Sequence, residues 1–148
     1  MNILTKLDSS TPAFTKTGAG TISIKAFTKV TNPYTEARYF FPVDTAVTMP
    51  TLTAGTDYAI YCLANGSLVA DANFTYPAGY SAATAIKIGG FHYAPGGNAT
   101  AQAGGDTTPA INAYSIWDLK FRPRCADPRG MAFISPSVGW VDIYLLNT

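Results

Sequence analysis

Apolar and polar residues alternate with a period of two through several short stretches of this chain, as they do in a strand with one face buried. From Thr21 to Phe27, Ile22, Ile24 and Ala26 fall on one side and Ser23 and Lys25 on the other. Arg38–Phe41 and Ala46–Met49 follow, each closed by a proline. Asp57–Leu63 departs from the pattern, because Tyr58, Ile60 and Cys62 point one way and Ala59, Tyr61 and Leu63 the other. Both of its faces are apolar, so it is expected to be buried on both sides, as in a sandwich with a subunit packed outside. Asn65-Gly66 then precedes Leu68–Ala70, which predicts a hairpin closed by a type I′ turn.

Further along, Thr84–Tyr93 reads as a strand interrupted at Gly89-Gly90, where a bulge or a close approach of neighbouring backbone is expected. Tyr114–Phe121 sets Trp117, Leu119 and Phe121 against Ile116, Asp118 and Lys120, and Val138–Leu146 closes the chain. Glycine (13) and proline (10) interrupt the chain too often for helices of ordinary length. The predicted fold is therefore all-β, an antiparallel β-sandwich of about eight short strands.

Ala94–Asn112 carries no strand pattern. It holds Pro95, Gly96, Gly97, Gly104, Gly105 and Pro109, with Asp106 as its one charge. Loops of this length in compact domains are usually functional or ordered by a partner. Its Ala and Thr content suits packing on a neighbouring subunit; a flexible surface loop and a ligand contact are the alternatives.

A chain of 148 residues suffices for one domain. Charged residues make up 13%, about half the usual share, so the surface must rest on Thr, Ser, Asn, Gly and Tyr, which suits permanent packing between subunits. A net charge of +1 leaves no excess to neutralise a phosphate backbone, and nucleic acid is not expected as a partner. The basic group Lys120, Arg122 and Arg124 sits beside Asp118 and Asp127 and reads as a solvated strand edge. Two cysteines, Cys62 and Cys125, are too few for a disulfide scaffold, and with one histidine they hold no metal cluster. Cys62 reads as a small buried apolar side chain, and its pairing with Cys125 stays open. Lys6 and Asp8 break the N-terminal apolar run, so no signal peptide is expected, and no run approaches the roughly 20 residues of a membrane span. A soluble chain made in a cytoplasm is the expectation.

His92 is the one histidine, flanked by Phe91 and Tyr93 on a predicted strand without a nucleophile elbow nearby, and it reads as structural. Glu36 is the one glutamate, and the aspartates are scattered through turns and strands, so no paired carboxylates for glycoside hydrolysis can be nominated. No enzyme and no cofactor are expected. Trp117 shares its strand face with Leu119 and Phe121 and reads as core.

The stretch Lys87–Met131, in which aromatic segments around FHYAP and YSIWDLKF flank the Gly/Pro/Ala/Thr-rich loop, resembles the phage major tropism determinant family. The resemblance extends to AFTKTGAGTISIKAF at Ala13–Phe27, VDTAVTMPTLTAGTDYAIY at Val43–Tyr61 and WVDIYLL at Trp140–Leu146. It implies the family's middle β-sandwich and the entry to its lectin-like domain. The chain ends at Thr148, shortly after the match, so the variable lectin-like domain is expected to be missing, and a matched region starting near Ala13 leaves no room for a prism-like domain. The domain reading is an N-terminal arm over 1–12, the sandwich over 13–122, and a C-terminal strand segment over 123–148 packing on the sandwich or on a neighbour.

Functionally, the resemblance implies a non-enzymatic phage virion protein, a homotrimer that attaches to or decorates a tail fibre, baseplate, collar or capsid surface. Its expected partners are itself and other virion proteins, and its expected location is the virion. Without a following domain the last strand would leave apolar surface open, so Trp140, Ile143 and Tyr144 join the 94–112 loop as candidate subunit contacts. The alternative is a minimal tail protein that binds a host-surface receptor or glycan through that loop.

Overall fold

The computed structural model describes residues 3–95, 109–121, 131–135 and 139–142. Within them every strand pairing is antiparallel, and the one helical element is a 3-10 turn at Ala113–Ser115. One sheet joins β1 (Leu4–Thr5), β4 (Thr28–Thr31) and β5 (Arg38–Phe41) in that order; another joins β2 (Phe14–Gly18), β3 (Thr21–Ile24) and β6 (Thr45–Ala46). The largest sheet runs β10 (Pro109–Ile111), β9 (Ala85–Pro95), β7 (Thr56–Leu63), β8 (Leu68–Asp71), with β11 (Trp117–Asp118) also on β9. β12 (Met131–Ser135) and β13 (Gly139–Asp142) form a hairpin pair. The architecture is the expected all-β antiparallel sandwich, cut into more and shorter strands than the periodicity alone suggested.

One core joins these sheets. Leu4, Phe14, Ile22, Ile24, Val30 and Phe41 from the two small sheets meet Tyr58, Ile60, Cys62, Ile86, Ile88 and Phe91 from the inner face of the large one. Burial pushes the Cys62 thiol up to about 12, so it stays an inert apolar side chain.

β7 is buried on both faces, as its two-sided apolar pattern requires. The cover on its outer face, however, comes from its own chain. Ala59, Tyr61 and Leu63 pack with Ala85 beneath Val69 and Phe74. The Tyr61 hydroxyl donates to the Asn73 carbonyl, and Lys87 Nζ donates to the Phe74 carbonyl at 2.8 Å while lying 5.5 Å from that ring's centre. Burial, reinforced by Asp71, pushes the Tyr61 phenol up to about 12. The expectation of a subunit outside β7 is therefore corrected: the segment after β8 folds back and takes that place.

The β7–β8 hairpin forms where Asn65-Gly66 placed it, but not through a type I′ turn. Of the two, Gly66 alone has positive φ, at 86°. The Gly66 N–H donates to Leu63 O at 2.9 Å and the Leu63 N–H to Ser67 O at 2.8 Å, a turn over Leu63–Gly66 whose last residue is the left-handed glycine. Asn65 contributes its side chain, which accepts from the Ser67 N–H at 2.9 Å. Gly66→Ala is expected to cost about 1–2 kcal/mol, since a Cβ there meets a left-handed backbone and the Tyr39 ring at 3.1 Å. Asn65→Ala should cost less than half as much, and equal losses in urea unfolding would contradict this turn.

In β9 the core residues change parity, from Ile86 and Ile88 to Phe91. The cause is a bulge: Ile60 faces Gly89 while Tyr61 faces Lys87, leaving Ile88 as the extra residue. Gly89 and Gly90 also permit the close approach read from the sequence. A Cβ on Gly90 would lie 2.5 Å from Tyr58 O and 2.7 Å from Trp117 Nε1. Trp117 and Asp118 pair directly with Gly90 and Gly89.

Three predicted strands are shorter than expected. The first stops at Ile24, where the chain turns so that Thr28 Oγ1 donates to Lys25 O at 2.7 Å. Ala46–Met49 gives only β6 and a single parallel bridge from Thr48 to Val69. Tyr114–Phe121 keeps only Trp117–Asp118 as strand, because Ser115 bonds back to Asn112 O at 2.7 Å and winds the preceding residues into the 3-10 turn. Trp117 is core, as expected.

Candidate functional site

The long β9–β10 connection, read from sequence as a loop over 94–112, is narrower than that. β9 continues through Pro95 and β10 begins at Pro109, with Pro109 facing Pro95, Ala110 facing Ala94 and Ile111 facing Tyr93. The two candidate prolines thus stand opposite each other at the top of a paired stalk. Gly96, Gly97, Gly104 and Gly105 lie outside the described residues.

That stalk is tied down by a buried polar network. His92 and Asp57 are direct cross-strand partners, which brings Nδ1 to 2.8 Å from Asp57 Oδ1. The His92 main-chain N–H donates to Ser115 Oγ at 2.8 Å, and the Ser115 hydroxyl in turn donates to Asn112 O at 2.7 Å. Asn112 N–H returns to His92 O at 2.9 Å, while Ile111 N–H reaches Ala19 O at 2.7 Å. Buried polar groups need such partners to offset lost hydration. Ser115 meets the main chain of His92 and not its ring, so the three side chains do not make a nucleophilic relay. The His92 main chain thereby ties β9 to the β10 return strand.

A second tie fastens the chain's beginning to the end of this region. Lys6 Nζ lies 2.8 Å from Asp118 Oδ2, with Asp118 wholly buried and the lysine side chain 4% exposed. The same carboxylate accepts from Ala13 N–H and Lys120 N–H, each at 2.6 Å. Lys6 completes its own bonding through Thr11 O at 2.8 Å and sits 5.3 Å from the centre of the Phe121 ring. Asp118 is thus no part of a solvated basic edge; that reading is overturned for it by its burial against Lys6. Nothing local in the sequence signals this pair.

The C-terminal candidates are placed only by their backbone. Trp140 lies in β13 opposite Phe133, and Ile143 and Tyr144 lie outside the described residues, as does Cys125. The structure therefore brings Pro95 and Pro109 together, and of the remaining candidates it describes only the backbone pairing of Trp140. Among the described residues no group of three His, Cys, Asp or Glu side chains gathers as a metal site.

Fold and ties together define an all-β antiparallel module whose buried polar groups hold its N-terminal segment and its β9–β10 stalk in register. The Mtd second domain model matches residues 12–118, so the chain belongs to that family. It is 57% identical over 142 residues to the tail fiber receptor-binding protein of Bordetella phage BPP-1, a match covering 96% of this chain and 36% of that protein. The solved structures of the Major Tropism Determinant M1 and U1 variants superpose with a TM-score of 0.84 at 57% identity, covering 97% of this chain and 37% of theirs. The chain thus spans about a third of the length of these relatives.

Proposed function

We propose that this chain is a non-enzymatic structural protein of a phage virion, a homotrimeric β-sandwich that attaches to or decorates a larger assembly such as the tail fibre. The observation that carries the reading is the 57% identity to a tail fiber receptor-binding protein across nearly the whole chain. Three features support it. The polar network around His92 ties framework strands together, the charge content is low, and the β9–β10 ladder sets Pro95 and Pro109, the two ends of the 96–108 segment, opposite each other. The 96–108 segment and the Trp140–Tyr144 segment are the proposed subunit contacts, and Gly96, Gly97, Gly104 and Gly105 are the positions that would let a neighbour's backbone approach.

A second reading is favoured by the relative's name. There the 96–108 segment contacts a host-surface receptor or glycan. Removing 96–108, with Pro95 joined to Pro109 through a short turn, separates the two. Under the assembly reading, size-exclusion with light scattering shows the trimer lost and particles fail to form. Under the receptor reading, particles form normally and host adsorption falls by at least about tenfold. A particle that both assembles and adsorbs normally would refute both.

A further inference from the structure

β5 ends its sheet, so among the described residues Arg38–Phe41 has a partner strand on one side only. Its register with β4 sets Lys29 opposite Phe40 and Thr31 opposite Arg38. The period of two places these four on one face, and Lys29, Arg38 and Phe40 are exposed there, whereas Thr28, Val30 and Phe41 point into the core. The Asn32 N–H donates to Ala37 O at 2.8 Å, which makes Val30–Tyr39 and Thr28–Phe41 the hydrogen-bonded pairs of this ladder. The main-chain N–H and C=O groups of Arg38 and Phe40 therefore point to the open edge.

Phe27 completes this surface at a steric cost. Its φ is 65°, in the left-handed region that disfavours a side-chain-bearing residue. The Phe27 N–H bonds Phe41 O at 2.6 Å although Thr28 is the residue facing Phe41, the arrangement of a bulge whose first position ordinarily takes glycine. Yet the ring held there is 53% exposed, so burial does not offset the strain. It stands 6.3 Å from the Phe40 ring, itself 54% exposed, and Val43, two residues past the end of the strand, is 65% exposed. An exposed aromatic kept at a strained position is a feature of binding surfaces, not of cores.

We propose that the open edge and outer face of β5 dock an extended polypeptide segment bearing acidic and apolar side chains, which pairs with the main chain of Arg38 and Phe40 and seats an apolar side chain against Phe27 and Phe40. The charge of the face selects this partner. Lys29 and Arg38 flank the rings and no carboxylate occupies the four face positions; Glu36 lies in the preceding turn, and Asp44 is engaged by the Ala26 N–H at 2.7 Å. A second copy of the same face would set cation against cation. An acidic saccharide would answer the cations but leave the edge N–H and C=O groups without strand partners. This goes beyond the virion reading and does not depend on it.

The test follows backbone amides by NMR during titration with the capped peptide Glu-Thr-Phe-Thr-Glu, whose acidic and apolar side chains share one face of a strand, with Lys-Thr-Phe-Thr-Lys and with sialyllactose. Saturable shifts and slowed exchange at the Arg38 and Phe40 amides are expected with the glutamyl peptide, with the lysyl peptide at least about tenfold weaker. Phe27→Gly should melt no lower than the parent, because strain is relieved, yet bind at least about tenfold more weakly. Phe40→Ser, which leaves the backbone untouched, should lose binding to the same extent. Equal affinity for the two peptides, shifts centred elsewhere, tighter binding of sialyllactose, or full binding by both variants would each overturn the proposal.

Discussion

Asp118→Ala is expected to lose about 3–5 kcal/mol of folding stability, because removing one partner of a buried ion pair strands the other charge away from water. Here the loss goes beyond Lys6. The carboxylate also receives the Ala13 and Lys120 N–H groups, so three donors lose their acceptor at once. At this chain length the deficit corresponds to a fall in Tm of roughly 10 °C, read by differential scanning calorimetry. Lys6→Met removes the cation instead and leaves the carboxylate two main-chain donors, so it should cost less than Asp118→Ala. In the double variant Lys6→Met with Asp118→Ala the deficit should fall well short of the sum of the two single losses, since each change removes the charge the other exposes. Additive losses, or an Asp118→Ala protein melting within about 2 °C of the parent, would mean that the pair contributes nothing to holding the N-terminal segment on the sandwich.

Gly90→Ala is the second severe case, with an expected loss of about 3 kcal/mol or more. The added methyl would meet the Tyr58 carbonyl at 2.5 Å and the Trp117 indole at 2.7–2.8 Å. Neither can yield cheaply. Tyr58 O belongs to the middle of the largest sheet, and Trp117 is 4% exposed and paired to Gly90 across β11. Trp117→Leu in the Gly90→Ala background should recover only part of the loss, since the carbonyl remains in place. Gly79→Ala serves as the reference for backbone strain alone: its φ is 86° and no atom lies within 4 Å of a Cβ there. It should cost about 1 kcal/mol. If urea unfolding gave the two alanine variants the same deficit, crowding at Gly90 would not be the cause.

The strands that periodicity announced are those whose burial is set by the sheet they sit in. β3, β5, β7, β8 and β9 fall within a few residues of the segments read from the side-chain pattern and the Asn65-Gly66 turn, because side chains point to opposite faces regardless of what lies beyond them. The two-residue strands β1, β6 and β11 carry too few positions for a period to register. The 3-10 turn at Ala113–Ser115 overrode a good alternating pattern, since the Ser115 hydroxyl offered Asn112 O and His92 N–H better partners than a ladder would. The Asn65-Gly66 signal located its turn and misjudged the type, because one left-handed glycine sufficed once Asn65 bonded the Ser67 N–H through its side chain.

The candidate contacts show the same division. Pro95 and Pro109 were singled out as loop residues, and the structure makes them the facing ends of a ladder. Phe27 and Phe40 carried no warning, being the last residue of one predicted strand and one of a run of aromatics in another.

The linear chain by itself determined the class of fold, the site of the central hairpin, the two-sided burial of β7 and the break at Gly89-Gly90, because each is written in neighbours a few positions apart. Only the folded molecule decided that Lys6 meets Asp118 across 112 positions, that Asp57 stands opposite His92, and that the segment after β8 roofs Tyr61. Those contacts depend on which strands pair and in what register, a property of the whole set of burial choices taken together, and one-dimensional patterns carry no record of it.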